Sequence, residues 1–329
     1  MRNWQRAALR IGGSVLSLIL LFHFLPLGEV WREFRKLPAH VWLLVLAGYM
    51  AAHLVGMSKW RLMLNAGGAG LNFGQAVRCY FSGLFGTLFL PSIVGGDVVR
   101  AGLALRSGKS KAGVLLGSFV DRLIDFVALG LLAAVGVALA PAALAPQTRH
   151  VFLIAGVAIA VLLAILAPVV FWFPARRFSF GIRRRLARLR GAARAIRNEK
   201  GYVLAALCLG LFVQGGFIWL MAQVANSSGL RLPFRAWLFA WPLAKLSAVI
   251  PITQGGIGVR EAALAALLIP FGARAAVTVA VGLAWETIII AGGLIAGLTA
   301  LLLGGLSMSK AVPAATSETR HETSSVSQR

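Results

Sequence analysis

Five carboxylates sit where a negative charge is expensive. Asp97, Asp121, Asp125, Glu261 and Glu286 lie inside or at the edge of apolar segments, half of the chain's Asp+Glu total of 10. A charge there costs on the order of 2.5–3.5 kcal/mol on insertion scales, so it faces a cavity or pairs with another charge and marks a functional site by default. Basic residues placed to meet these carboxylates are Arg100, Arg122, Lys245 and Arg260. Asp121 and Asp125 are four apart and share one helix face, and Arg122 reaches Asp125 at a spacing of three. That set reads equally as structural ion pairs and as a charge relay or counter-ion group, with Glu286 as a further member. The chemistry available is charge balance, selection of a cationic group or carriage of a proton.

Two of the arginines belong to a repeated stretch. Pro91-Ser92-Ile93-Val94-Gly95-Gly96-Asp97-Val98-Val99-Arg100 aligns without a gap with Pro251-Ile252-Thr253-Gln254-Gly255-Gly256-Ile257-Gly258-Val259-Arg260. Proline and paired glycines interrupt a helix, and in hydrocarbon a broken backbone is tolerated only where it is buried in protein or lines a wet cavity. Interrupted segments at corresponding places in two halves point to a transporter's binding site. Short helices are expected to begin at Gly95-Gly96-Asp97 and near Gly256-Ile257-Gly258. Their free N–H groups and dipoles favour an anion, and glycine lets a ligand approach the backbone. A guanidinium at Arg100 or Arg260 adds two hydrogen bonds to a phosphate. The expected binding set is therefore Gly95, Gly96, Asp97, Arg100, Gly255, Gly256, Arg260 and Glu261. Within it Asp97 reads first as an N-cap of its own helix, and Glu261 as the balance of Arg260. Thr253 and Gln254 stand where the first copy has Ile93 and Val94, so the halves are not equivalent.

Other chemistries find little support. The five histidines are scattered, so no metal-ligand cluster is expected, nor any cofactor. Gly-Gly-Asp is close to the Gly-x-Gly-Asp signature of intramembrane aspartyl proteases, with Asp121 as a remote candidate for the second acid. Cys79 and Cys208 imply no disulfide framework. His23 and His53 read as packing or interfacial residues, and Trp285 beside Glu286 is the tryptophan to watch.

The elements that must position these residues are apolar helices. Hydrophobic residues make up 59% of the chain, charged residues 13%, and the mean hydropathy is +0.82, against about a quarter charged in a soluble domain. The expected fold is an all-α membrane protein, a polytopic bundle of two inverted-topology repeats, each with a broken re-entrant hairpin. Spans are expected near 8–26, 41–64, 112–140, 151–172, 201–224 and 275–304, with broken units near 74–105 and 236–270. Trp42 at one end of the second span and Lys59, Trp60 and Arg61 at the other read as interfacial belts. The net charge of +23 comes from arginines beside apolar spans, as the positive-inside rule expects, and nucleic acid is not needed to explain it. Residues 174–200 hold the densest run of that charge, opposed only by Glu199, on a helical pattern (Ile182, Leu186, Leu189, Ala193, Ile196) suited to anionic headgroups at a cytoplasmic surface. Tracing charge along the chain puts both termini in the cytoplasm and makes the broken units enter from opposite faces. The organisation is a first membrane repeat at 1–145, a second at 146–305 and a disordered tail at 306–329.

At these residues the chain resembles the lysylphosphatidylglycerol synthase transmembrane-region family, the flippase-like membrane domain of the multiple peptide resistance factor type. The resembling pieces are Leu71-x-Phe73-x-x-Ala76-x-x-x-Tyr80, Leu90 through Ala101, Gly117-Ser118-x-x-Asp121-Arg122, and Pro251 through Glu261 with its Gly255-Gly256-Ile257-Gly258-Val259-Arg260 core. The resemblance implies a bacterial inner-membrane protein that translocates a phosphate-bearing phospholipid or lipid-linked headgroup, with membrane lipids as its partners. It does not fix which lipid moves. The family's soluble aminoacyl-transferase half has no counterpart expected after residue 305, so lipid aminoacylation is not expected of this chain. The rival reading is a non-transporting scaffold for a lipid-modifying or glycosyl-transferring enzyme, docked through 174–200; a third is an enzyme acting on a polyprenyl phosphate. The oligomeric state is left open.

Overall fold

The computed structural model describes residues 28, 31–32, 35–90, 93–139, 180–247 and 258–309. Among these the regular structure is entirely helical: α1 (Ala39–Ala66), α2 (Phe73–Gly86), α3 (Ile93–Ser107), α4 (Lys111–Leu139), α5 (Phe180–Asn198), α6 (Lys200–Ser227), α7 (Phe234–Ser247), α8 (Val259–Leu268), a 3-10 turn at Ile269–Phe271, and α9 (Ala275–Ser309). The spans expected near 8–26 and 151–172, the motif residues Gly255 and Gly256, and the tail from 310 onward lie outside the described residues. Helix α9 continues past residue 305, where the second repeat was expected to stop.

Four helices are long and apolar enough to cross a membrane: α1, α4, α6 and α9. The chain is a multi-pass membrane protein. The other core helices are too short. α2, α3, α7 and α8 have 14, 15, 14 and 10 residues, about 15–23 Å at 1.5 Å per residue, against about 30 Å of hydrocarbon. Local chemistry fixes where they begin and end. At the start of α2, Asn72 Oδ1 accepts the Gln75 N–H at 2.8 Å and Gln75 Oε1 accepts the Asn72 N–H at 3.1 Å, a reciprocal capping box. The loop before it is tied to α1 by Asn65 and Arg61, which both donate to the Leu71 carbonyl, at 3.0 and 2.9 Å.

Several helix contacts recur in the two halves of the chain. α2 packs on α3 and α9; correspondingly, α7 packs on α8 and α4. α1 lies against α6. Glycine makes the tight crossings possible. A Cβ on Gly96 would strike the Gly83 carbonyl and Thr87, and one on Gly136 would strike the backbone of Leu238 and Phe239. The first contact closes the α2–α3 hairpin; the second seats α7 on α4. The larger apolar cluster gathers Tyr49, Phe217, Trp237, Trp241 and Trp285 from α1, α6, α7 and α9, and a second gathers Trp60, Ala76, Phe81 and Ala296 from α1, α2 and α9.

α5 is the expected basic helix. Ala192, Ala193 and Ile196 are buried, and the helix packs on α1, α4 and α6, so its apolar stripe meets protein, where a lipid surface was expected. Arg194, Arg197 and Lys200 are exposed.

Candidate functional site

Between the α2–α3 and α7–α8 helix pairs lies a cavity of about 510 Å³ walled by residues from α1–α4 and α6–α9, within the 300–1,000 Å³ range of small-molecule sites. One wall is a closed ring of alternating charges. Lys59 Nζ is 2.9 Å from Asp121 Oδ1 and 2.6 Å from Asp125 Oδ1. Arg100 Nη2 is 3.0 Å from Asp121 Oδ2, and its Nε is 3.0 Å from Asp97 Oδ1. Arg122 closes the ring, pairing with Asp97 and lying 3.3 Å from Asp125 Oδ2. Three cations thus meet three carboxylates from α1, α3 and α4. The Arg100 guanidinium also lies 5.2 Å from the Trp60 ring centroid and 5.1 Å from that of Tyr80, contacts that favour a desolvated cation.

The opposite wall carries a smaller cluster. Arg260 Nη2 donates to Glu261 Oε1 and to Glu286 Oε2, each at 2.6 Å. Glu261 Oε2 accepts the Gly258 N–H at 2.7 Å. Gly258 enters α8 at φ 85°, a conformation glycine adopts without a Cβ penalty. The matching position of the first motif is Val98, which lies inside α3. Each motif arginine is therefore held by an acid from the next long helix: Arg100 by Asp121, Arg260 by Glu286.

A neutral bridge joins the walls. Gln214 on α6 donates to Asp125 Oδ1 at 3.4 Å and accepts from Lys245 Nζ on α7 at 2.8 Å. His53 Nδ1 and the Tyr80 hydroxyl are 3.3 Å apart. Trp241 and Trp285 close the floor, edge to face at 5.2 Å. The remaining side is apolar and reaches the surface: the lining residues Phe89, Ile290 and Leu294 are 63%, 44% and 52% exposed.

Several expectations change. α3 begins at Ile93, so Gly95, Gly96 and Asp97 lie within the helix and Asp97 is not its N-cap. α3 meets the cavity through Gly96, Asp97 and Arg100, a side of the helix and not its amino end. Gly95 packs against Leu90, and Gly96 packs against Gly83 while also lining the cavity. At α8 the Gly258 N–H is already taken by Glu261, which stands behind Arg260 and does not line the cavity. Arg100 and Arg260 do line it, but neither is free: each contacts two carboxylates. Asp97 and Asp121 have Arg100 between them, so they do not form the directly paired acids that an aspartyl protease needs. Asp121, Arg122, Asp125 and Glu286 come together at the cavity, and the Arg122–Asp125 pair forms at the expected spacing.

Lys59, Trp60, His53 and Gln214 were missed. Lys59 is 2% exposed and Trp60 fully buried, donating to Ser118 Oγ at 3.2 Å; neither belongs to an interfacial belt. The signal was the Asn72–Gln75 capping box. It puts the loop after residue 66 and leaves Lys59 two turns inside α1. Among the described residues no group of His, Cys, Asp and Glu could hold a metal ion.

No curated protein and no solved structure matches the chain. The family model described as the lysylphosphatidylglycerol synthase TM region matches residues 7–313. With nearly its whole length covered, the chain belongs to the lysylphosphatidylglycerol synthase transmembrane-region family.

Proposed function

We propose that this protein is a lipid flippase that moves a phosphate-bearing headgroup across the bacterial inner membrane through the cavity between its two hairpins. One observation carries the reading. Arg100 and Arg260 hold the same place in two motifs far apart in sequence, and both wall a cavity that runs from charged networks to exposed apolar residues. A headgroup needs the charged interior, while acyl chains need the apolar side at Phe89, Ile290 and Leu294. Helices too short to span supply two of the walls, as in transporters whose broken helices meet at the substrate. The recurring helix contacts suit two inverted repeats with hairpins re-entrant from opposite faces, and the basic α5 suits a cytoplasmic side. Alternate ionic pairings within the ring would let the site close behind a headgroup without exposing an unpaired charge to hydrocarbon.

The test is reconstitution of the purified chain into vesicles containing fluorescent phosphatidylglycerol, followed by quenching of the outer leaflet. The wild-type protein is expected to give headgroup exchange, and Arg100→Gln with Arg260→Gln to abolish it in vesicles carrying equal amounts of folded protein. Exchange by the double variant at the wild-type rate refutes the assignment of the arginines. No exchange of any phosphate-bearing lipid by the wild type refutes the flippase reading.

A further inference from the structure

We infer that Lys245 is the anion anchor of the cavity and that the group it takes carries a single negative charge, as a phosphodiester does. The inference rests on the flippase reading and names the residue that selects its substrate. Among the described residues five cations wall the cavity: Lys59, Arg100, Arg122, Lys245 and Arg260. Four of them each contact two carboxylates. Lys245 contacts none among the described residues. Its Nζ donates to the neutral Gln214 Oε1 at 2.8 Å and lies 4.9 Å from the Phe217 ring centroid. An ammonium has three donors, so hydrogens remain for a ligand.

This arrangement is costly unless something anionic visits it. A lysine at membrane depth is expensive, and a cation–π contact with one neutral hydrogen bond compensates less than a carboxylate would. The motif arginines make poorer anchors, because an anion reaching either also meets two carboxylates. On Lys245 it meets the cation that, among the described residues, has no carboxylate in direct contact. Trp241, one turn earlier on α7, lines the same cavity, and its indole N–H has no hydrogen-bond partner among the described residues. The second charge of a phosphomonoester would face Asp125 and Glu286 with no further unpaired cation among the described residues.

The experiment uses the purified full chain in detergent. Binding is followed through tryptophan fluorescence, since Trp241 and Trp285 line the cavity. The probes are dihexanoyl phosphatidylglycerol, dihexanoyl phosphatidic acid, uncharged dihexanoylglycerol and inorganic phosphate. The wild type is expected to prefer phosphatidylglycerol to both other lipids. Lys245→Gln is expected to lose roughly ten- to a hundred-fold of the preference over dihexanoylglycerol, the worth of a hydrogen bond to a charged group. Lys245→Arg should keep most of it. The ratio of charged to uncharged lipid is the readout, because a loss of folded protein leaves it unchanged. Should Lys245→Gln not fold at all, Lys245→Arg decides on its own: a preference that survives supports the anchor, and one that collapses overturns it. An undiminished preference in Lys245→Gln overturns this inference and leaves the flippase reading standing. A wild type that binds phosphatidic acid as well as phosphatidylglycerol overturns the single-charge assignment. A wild type that binds inorganic phosphate alone, or no probe, overturns both the inference and the flippase reading.

Discussion

Replacing Arg260 by Gln deprives two buried carboxylates of the cation they share. Glu261 is fully buried, Glu286 is 13% exposed, and Arg260 is their only ion-pair partner among the described residues. Removing one member of a buried pair costs about 3–5 kcal/mol, because the other charge is left uncompensated. Arg100→Gln is the matched change in the first motif, but its carboxylates keep other partners: Asp97 keeps Arg122, and Asp121 keeps Lys59 at 2.9 Å. What is lost there is closer to one charge-assisted hydrogen bond, from Arg100 Nη2 to Asp121, within a network whose acids stay paired, about 1.5–3 kcal/mol. The two substitutions look equivalent in the aligned motifs and should differ by about 1–2 kcal/mol, Arg260→Gln being the worse. Adding Glu286→Gln to Arg260→Gln removes one uncompensated charge and should recover part of the loss. Reversible unfolding in mixed micelles, titrated with dodecyl sulfate, measures each step. If Arg100→Gln costs as much as Arg260→Gln, or if Glu286→Gln restores nothing, the division into a shared ring and an isolated cluster is wrong.

The glycines and the basic helix supply two further predictions. Gly96→Val should destabilise by about 1–3 kcal/mol, as overpacking does, because its Cβ meets the Gly83 carbonyl, whereas Gly130→Ala, with nothing within 4 Å of the added atom, should be neutral or slightly stabilising in the same thermal unfolding assay. Arg194→Glu with Arg197→Glu on the exposed face of α5 should leave headgroup exchange by the reconstituted chain intact; loss of exchange would mean that this helix takes part in transport, and loss only of a co-purifying enzyme would favour the scaffold reading.

Local chemistry was legible in the chain, and its limits are instructive. The Arg122–Asp125 pair could be written down from a spacing of three, because on a helix that spacing alone brings side chains together. The apolar runs named their own helices, as in α1, α4, α6 and α9, to within a few residues. The repeated Pro–Gly–Gly–Arg stretch marked two arginines that meet at one cavity. Misreadings began where a residue's meaning depends on a helix it touches across a long loop. Lys59 looked interfacial because it sits near a loop in sequence; its carboxylates come from α4, 62 and 66 residues away. Gly96 read only as a ligand cradle; it does line the cavity, and its missing side chain is also what lets α2 cross α3.

The sequence by itself determined that this is a membrane bundle, that five carboxylates must be compensated inside it, and that two matched segments each carry an arginine. Only the tertiary structure decided which cation meets which acid, that Arg100 stands in a ring and Arg260 nearly alone, and that Lys245 has no carboxylate in contact among the described residues. The reason is range. Backbone periodicity and hydropathy act over a few residues and are written in order along the chain. Ion pairing across helices is set by angles of approach and glycine contacts that sum over the whole bundle.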